Sequence, residues 1–103
     1  MSRGPDADTL LVRAIERSAD QAGYAVEVRS DWKRWASATF TGARHIVSLN
    51  GRASPGLDAW LAGLPEAEFA LRGHLVADLA VEQVRRDGEA VQVSLGVLTV
   101  EQR

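Results

Sequence analysis

The feature that most constrains the fold is an Asp87-Gly88 pair that separates two long runs of alternating apolar residues. An Asp-Gly pair accepts the positive φ angles of a type I′ turn, which joins adjacent antiparallel strands. The pair therefore predicts a long C-terminal hairpin, with strands over about residues 69–86 and 89–101.

The predicted register of this hairpin places apolar side chains on both of its faces. Counting back from the turn pairs Val84 with Val91 and Val76 with Thr99. The better apolar face then changes partway along the hairpin. Either a β-bulge near Gly96 shifts the register, or both faces are covered. Two helices cover one sheet face at most, so the second interpretation implies a partner, most simply another copy of the chain.

Two helices are predicted from their apolar spacing and their end signals. Apolar residues at intervals of three and four predict a helix over about residues 7–22, with Asp6 or Asp8 as its N-cap and Gly23 at its end. Ser54-Pro55 is a strong start signal for a second, short helix. Trp60 anchors this helix, and Gly63 and Pro65 end it.

Three strands are predicted between the helices. Alternation over residues 24–30 indicates a half-buried strand that ends at a Ser30-Asp31 turn. Residues 35–41 and 43–50 indicate a hairpin around Thr41-Gly42, with Phe40 and His45 on its core face. The predicted order is α-β-β-β-α-β-β, an antiparallel sheet with two helices on one face, in a single α+β domain over residues 1–103. Residues 1–6 are expected to be flexible.

Composition limits the chemistry and the location. The 103 residues include no cysteine, which excludes disulfides, thiolate nucleophiles and zinc–thiolate sites. The N-terminal residues contain no apolar run of the kind found in a secretory signal, and no stretch approaches the ~20 apolar residues of a membrane span. We therefore expect a cytoplasmic protein without membrane attachment.

One candidate site is the basic segment in the middle of the chain. It combines two indoles with cations that can bind anionic or planar ligands, and its members are Trp32, Lys33, Arg34, Trp35 and Arg44. The alternative is that Trp32 packs into the core and the cations keep a sheet edge soluble. The overall net charge of −2 argues against a general nucleic-acid binder.

The other candidate side chains are His45, His74 and Asp78. His74, Asp78 and Glu82 are predicted to share one strand face, but consecutive members lie ~13 Å apart, too far for a direct hydrogen bond. Asp78 lies in an apolar run, where a structural ion pair is the simpler interpretation. A histidine on an apolar face is more often a hydrogen-bonded core residue than a ligand, and no histidine spacing indicates a metal site.

These patterns predict a binding domain more readily than an enzyme. No nucleophile, nucleotide-binding or metal motif is present, so no catalytic residue or cofactor is assigned. The leading hypothesis is a non-enzymatic binding or adaptor domain that acts through its sheet surface as a homodimer or on another protein. The first alternative is a small-ligand pocket or acid–base enzyme lined by Trp35, His45, His74 and Asp78. The second is nucleic-acid or acidic-partner binding through the Trp32–Arg44 segment.

Overall fold

The computed structural model describes residues 6–102. Its elements are α1 (Ala7–Ala22), β1 (Glu27–Ala36), β2 (Thr41–Arg52), α2 (Pro55–Gly63), a 3-10 turn (Leu64–Glu66), β3 (His74–Asp87) and β4 (Ala90–Glu101). The four strands form one antiparallel sheet in the order β1-β2-β4-β3. We call the face that packs against the helices the inner face and the opposite one the outer face. This arrangement confirms the predicted α+β class. The segment expected to be flexible falls, apart from Asp6, outside the described residues.

Helix α1 has the predicted boundaries because both of its ends carry strong local signals. The Asp6 carboxylate accepts a hydrogen bond from the backbone N–H of Thr9 at 2.8 Å, so Asp6 and not Asp8 is the cap. Gly23 ends the helix in the left-handed conformation, with φ of 89°. Its buried stripe contacts the inner face through Ala7, Leu11, Ile15 and Ala19.

We expect Asp6→Ala to lower the free energy of unfolding by about 1 kcal/mol at neutral pH, because it removes this cap. The hydrogen bond from the Thr9 backbone lowers the pKa of Asp6 below its ordinary value of 3.8. A lowered pKa in the folded state stabilises the fold above the ordinary value, and that stabilisation is lost as the pH falls through the folded-state pKa. Urea unfolding between pH 7 and 2 should therefore show the two proteins converging in acid. Asp6→Asn, which caps without titrating, should lose less stability at neutral pH; equal losses would contradict the capping role.

Strand β1 is longer than predicted, and the chain accordingly has one strand fewer before α2. Residues Ser30 and Asp31 do not form a turn, since β1 pairs with β2 without interruption from Glu27 to Ala36. The order is therefore α-β-β-α-β-β. Ser30 faces α1, where its hydroxyl donates a hydrogen bond to Asp8 at 2.5 Å. The backbone at Ser30 and Asp31 is extended because it pairs with β2.

The turn between β1 and β2 is also displaced from its predicted position. It comprises residues 37–40, closed by the Ser37 N–H to the Phe40 carbonyl at 2.7 Å, whereas Thr41 and Gly42 already belong to β2. The Ser37 hydroxyl accepts from the Phe40 N–H at 3.1 Å, which satisfies the turn without a glycine. Phe40, predicted to lie in the core, is consequently 56% exposed.

Helix α2 follows the sequence prediction. The Ser54 hydroxyl accepts from the Leu57 N–H at 3.0 Å, and Pro55 occupies the first turn. Trp60 donates its indole N–H to the Ser18 hydroxyl at 3.0 Å and so ties α2 to α1. Leu57 and Leu61 bury the inward stripe of this short helix.

The C-terminal hairpin forms, but its register differs from the prediction. The two turn residues are Gly88 and Glu89, because Asp87 pairs with Ala90. Gly88 has φ of 60°, the conformation for which a glycine is favoured. The predicted pairing of Val76 with Thr99 is confirmed, whereas Val84 pairs with Val93 instead of Val91.

Two irregularities in β3 account for the difference between the predicted and the observed register of the hairpin. The pairing shifts between Val76 and Asp78 and again between Val81 and Gln83, which leaves Ala77 and Glu82 as bulged residues. The predicted register shift near Gly96 is therefore present, but it lies in the opposite strand and occurs twice. Because β4 itself is regular, its inward residues stay buried from the turn to the far end: Val91, Val93, Leu95, Val97 and Thr99.

Candidate functional site

The structure distributes the sequence-predicted site residues over both faces of the sheet. Side chains alternate along a strand, so the basic segment is divided. Pairing and burial place Trp32 and Arg34 on the inner face beside the N-terminal end of α1, and Lys33 and Trp35 on the outer face. Arg44 pairs with Lys33 and shares the outer face.

The proposed pocket residues are divided in the same way. His45 and His74 lie on the inner face, and Trp35 and Asp78 lie on the outer face. The bulge at Ala77 also places His74 and Asp78 on opposite faces, although i and i+4 share a face in a regular strand. These four side chains therefore do not converge on one cleft.

The inner face contains a buried polar chain that the sequence did not reveal. His45 Nδ1 lies 2.8 Å from a carboxylate oxygen of Asp8, and His45 Nε2 lies 2.9 Å from the Thr99 hydroxyl. Ser30 donates to the same Asp8 oxygen. A carboxylate only accepts, so Nδ1 donates to Asp8. The Thr99 hydroxyl, which meets Nε2, also lies 3.4 Å from the Ala43 carbonyl, to which it can donate. These hydrogen bonds join α1 to three neighbouring strands of the sheet.

A carboxylate, an imidazole and a hydroxyl in this order also form the catalytic triad of hydrolases. Here, however, a substrate cannot reach the imidazole or the hydroxyl. Thr99 is 0% exposed and His45 is 1% exposed. A nucleophile must reach the reacting carbonyl, and no surface leads to this hydroxyl oxygen. These hydrogen-bonded residues therefore form a satisfied polar element of the core, in agreement with the sequence interpretation of His45 as a hydrogen-bonded core histidine.

The outer face, which no helix of residues 6–102 covers, carries exposed apolar side chains among its polar ones. Pairing across the four strands arranges its side chains in rows, one residue from each strand. The row that we call the apolar row consists of Trp35, Gly42, Val100 and Leu75. Two rows away from it lies the row that we call the central row, which consists of Asp31, Ile46, Gly96 and Ala80. Ile46 is 59% and Leu75 is 53% exposed.

Between these two lies the row that we call the charged row: Lys33, Arg44, Leu98 and Asp78. The charged and central rows line a shallow, open groove. The bulged Glu82 extends over this groove, since its carboxylate lies 2.7 Å from the position that a β-carbon on Gly96 would occupy. Lys33 and Arg44 thus line the β1 and β2 side of the groove together with Asp31, and the acids Asp78 and Glu82 line the β3 side.

The charged side chains that line this groove form no ion pair with any other residue from 6 to 102. Within this part of the chain, no ion pair within 4.0 Å includes Glu82 or a residue of the charged or central row. Lys33, Arg44, Asp78 and Glu82 are absent from all of these pairs, and the structural ion pair predicted for Asp78 is not formed with any described residue. The groove therefore presents cations and carboxylates that no charged side chain of residues 6–102 neutralises at close range.

The described residues contain no group of three or more His, Asp or Glu side chains placed to bind a metal ion. Among the helices of residues 6–102, none has the length and apolar character needed to cross a membrane.

The chain matches no known protein-family model, and no curated protein is significantly similar to it in sequence.

Proposed function

We propose that the chain is a non-enzymatic binding or adaptor domain that acts through the outer face of its sheet, as a homodimer. The observation that carries this proposal is the exposed apolar surface of that face. An antiparallel sheet with one covered face normally presents polar side chains to water on the other. Here Ile46 and Leu75 are more than half exposed, and Leu98 and Val100 are half-buried beside them.

The buried polar chain supports the non-enzymatic part of the proposal. His45 and Thr99 are the groups whose partners most resemble catalytic ones, and both are inaccessible. The outer groove, by contrast, is accessible but presents charges and apolar carbons without a hydrogen-bonded acid–base pair. Such a surface is suited to recognition of a protein surface.

Sedimentation velocity over a range of concentrations tests this proposal. We expect the wild-type chain to be a dimer at micromolar concentration, and Ile46→Thr/Leu98→Thr to raise the dimer dissociation constant roughly 10-fold or more, because apolar anchors dominate interface energy. Threonine keeps the strand propensity, so the fold should persist.

The matched control is Val84→Thr, which changes an apolar side chain that is 42% exposed but lies on the inner face. It should leave the dissociation constant unchanged. A wild-type chain that remains monomeric would refute the homodimer, and equal effects of the control and the outer-face variant would refute the assignment of the surface.

A further inference from the structure

We propose that the outer face binds a second copy of the chain about a two-fold axis that runs parallel to the strands, between β2 and β4. This inference rests on the proposed function and adds the orientation of the partner. A two-fold axis that relates two facing sheets must lie in the plane between them. If it runs along the strands, each row meets the same row of the partner in reverse, so that β1 faces the partner's β3 and β2 faces the partner's β4.

The charges of the outer face favour this axis because opposite signs occupy the two ends of a row. In the charged row, Lys33 lies on β1 and Asp78 on β3. The axis places Lys33 opposite the partner's Asp78, and symmetry repeats the pair. Nearer the Gly88 turn, Glu27 on β1 and Arg85 on β3 end another row, again with opposite signs. In each of these two rows, the charge at one end therefore meets the opposite charge of the partner's row when the order of the strands is reversed.

The apolar side chains favour the same axis. Reversal of the apolar row brings Trp35 against the partner's Leu75 and so covers both. An axis perpendicular to the strands, through the central row, would instead bring Lys33 near the partner's Arg29 and Trp35 near the partner's Glu27. That arrangement pairs like charges, which is unfavourable. Contacts between apolar side chains and carboxylates do not separate the two axes, because the axis along the strands sets Ile46 opposite the partner's Gly96, over which a Glu82 carboxylate extends.

Dimensions agree with a dimer of ordinary size. Five rows at ~6.8 Å and four strands at ~4.8 Å give a footprint of roughly 650 Å² before side-chain relief is counted. Standard interfaces bury about 800 Å² of accessible surface on each partner. Aligned sheet packing, with strands within ~30° of each other, is the geometry that this axis produces.

Joining two copies through the edge of the sheet is less favourable on the β3 side. The bulges at Ala77 and Glu82 interrupt the row of free backbone groups that a new strand would need, as is common in protected edges. The bulge at Glu82 also directs its carboxylate over Gly96, into the groove of the outer face. There it lies one row from the position that the partner's Arg44 would occupy.

A charge-reversal experiment tests the orientation. Lys33 and Asp78 of one chain are separated by three strand spacings, about 14 Å, so neither can pair with the other internally. We expect Lys33→Glu alone and Asp78→Lys alone each to raise the dimer dissociation constant roughly 10- to 100-fold, since each variant creates two repulsive pairs. An equimolar mixture of the two variants should form a heterodimer with near wild-type affinity, because both cross pairs are again of opposite sign.

Sedimentation velocity with one variant fluorescently labelled measures the mixture, and the double variant Lys33→Glu/Asp78→Lys should also recover the dimer. Arg17→Glu, a reversal on the exposed side of α1, is the control and should have no effect. Both changed residues are exposed, and circular dichroism of each variant checks the fold. Failure of the mixture to recover would overturn this axis while leaving the proposed function intact, provided that Ile46→Thr/Leu98→Thr still dissociates the dimer. A monomeric wild-type chain would overturn both.

Discussion

His45→Ala is expected to lower the free energy of unfolding by about 3–5 kcal/mol. The imidazole is 1% exposed and bonds Asp8 through one nitrogen and Thr99 through the other. Its removal leaves a cavity and takes one hydrogen-bond partner from each neighbour: the Asp8 carboxylate keeps only Ser30, and the buried Thr99 hydroxyl keeps only a longer contact, 3.4 Å, to the Ala43 carbonyl. A domain of this size has a total stability of roughly 5–15 kcal/mol, so the variant should be close to unfolding.

Urea unfolding followed by circular dichroism, at one fixed protein concentration, measures this loss. Fixed concentration matters because association stabilises the folded state by mass action. His74→Ala is the matched control. Its Nδ1 is buried without a hydrogen-bond partner in the described structure, so the substitution breaks no such bond there and should cost less than about 1 kcal/mol. A His45→Ala variant as stable as this control would contradict the structural role of the buried chain.

The helices could be predicted from the sequence because their ends are encoded locally. The carboxylate of Asp6 bonds a backbone group only three positions away, and the hydroxyl of Ser54 does the same. Ser30-Asp31 also reads as a local turn signal, but its backbone pairs with β2, and Ser30 bonds Asp8, which is 22 positions away. A distant partner therefore decided the conformation at that point, and a local pattern cannot show it.

The hairpin shows the same limit at the level of register. Its existence follows from two alternating runs around a glycine, whereas the bulges at Ala77 and Glu82 depend on which β3 side chains must meet a regular β4. Counting from the turn therefore gave apolar residues on both faces of the hairpin. The structure resolves them into a continuous buried face and a separate apolar patch on the outer face, which includes Leu75 and Leu98.

The buried chain could have been suspected in part from the sequence. His45 and Thr99 each occupy an inward position in an otherwise apolar alternating run, and a buried polar group requires a partner. Nothing in the sequence indicates that the two runs are neighbours, since the residues are 54 positions apart. The third member, Asp8, resembles an ordinary acidic residue in the first turn of a helix.

Gly42→Ala is expected to lower the free energy of unfolding by about 2–3 kcal/mol, because the β-carbon has no space. That atom would overlap the Thr99 carbonyl oxygen and lie 3.0 Å from Trp35 Nε1. The carbonyl belongs to the neighbouring strand, so relief requires displacement of the backbone that also positions the Thr99 hydroxyl. The loss should therefore be smaller in a Thr99→Val background, where no hydrogen bond to His45 remains to be disturbed.

Gly63→Ala makes the same chemical change as Gly42→Ala, but we expect it to change the free energy of unfolding in the opposite direction. Gly63 is exposed at the end of α2, has φ of −84° and has no atom within 4 Å of the position of an added β-carbon. Alanine there should raise the free energy of unfolding by about 0.5–1 kcal/mol, because it restricts the unfolded chain and favours the helix. Urea unfolding of the two variants should give changes of opposite sign. Two changes of the same sign would show that the close approach of β4 to Gly42 is not what requires glycine at that position.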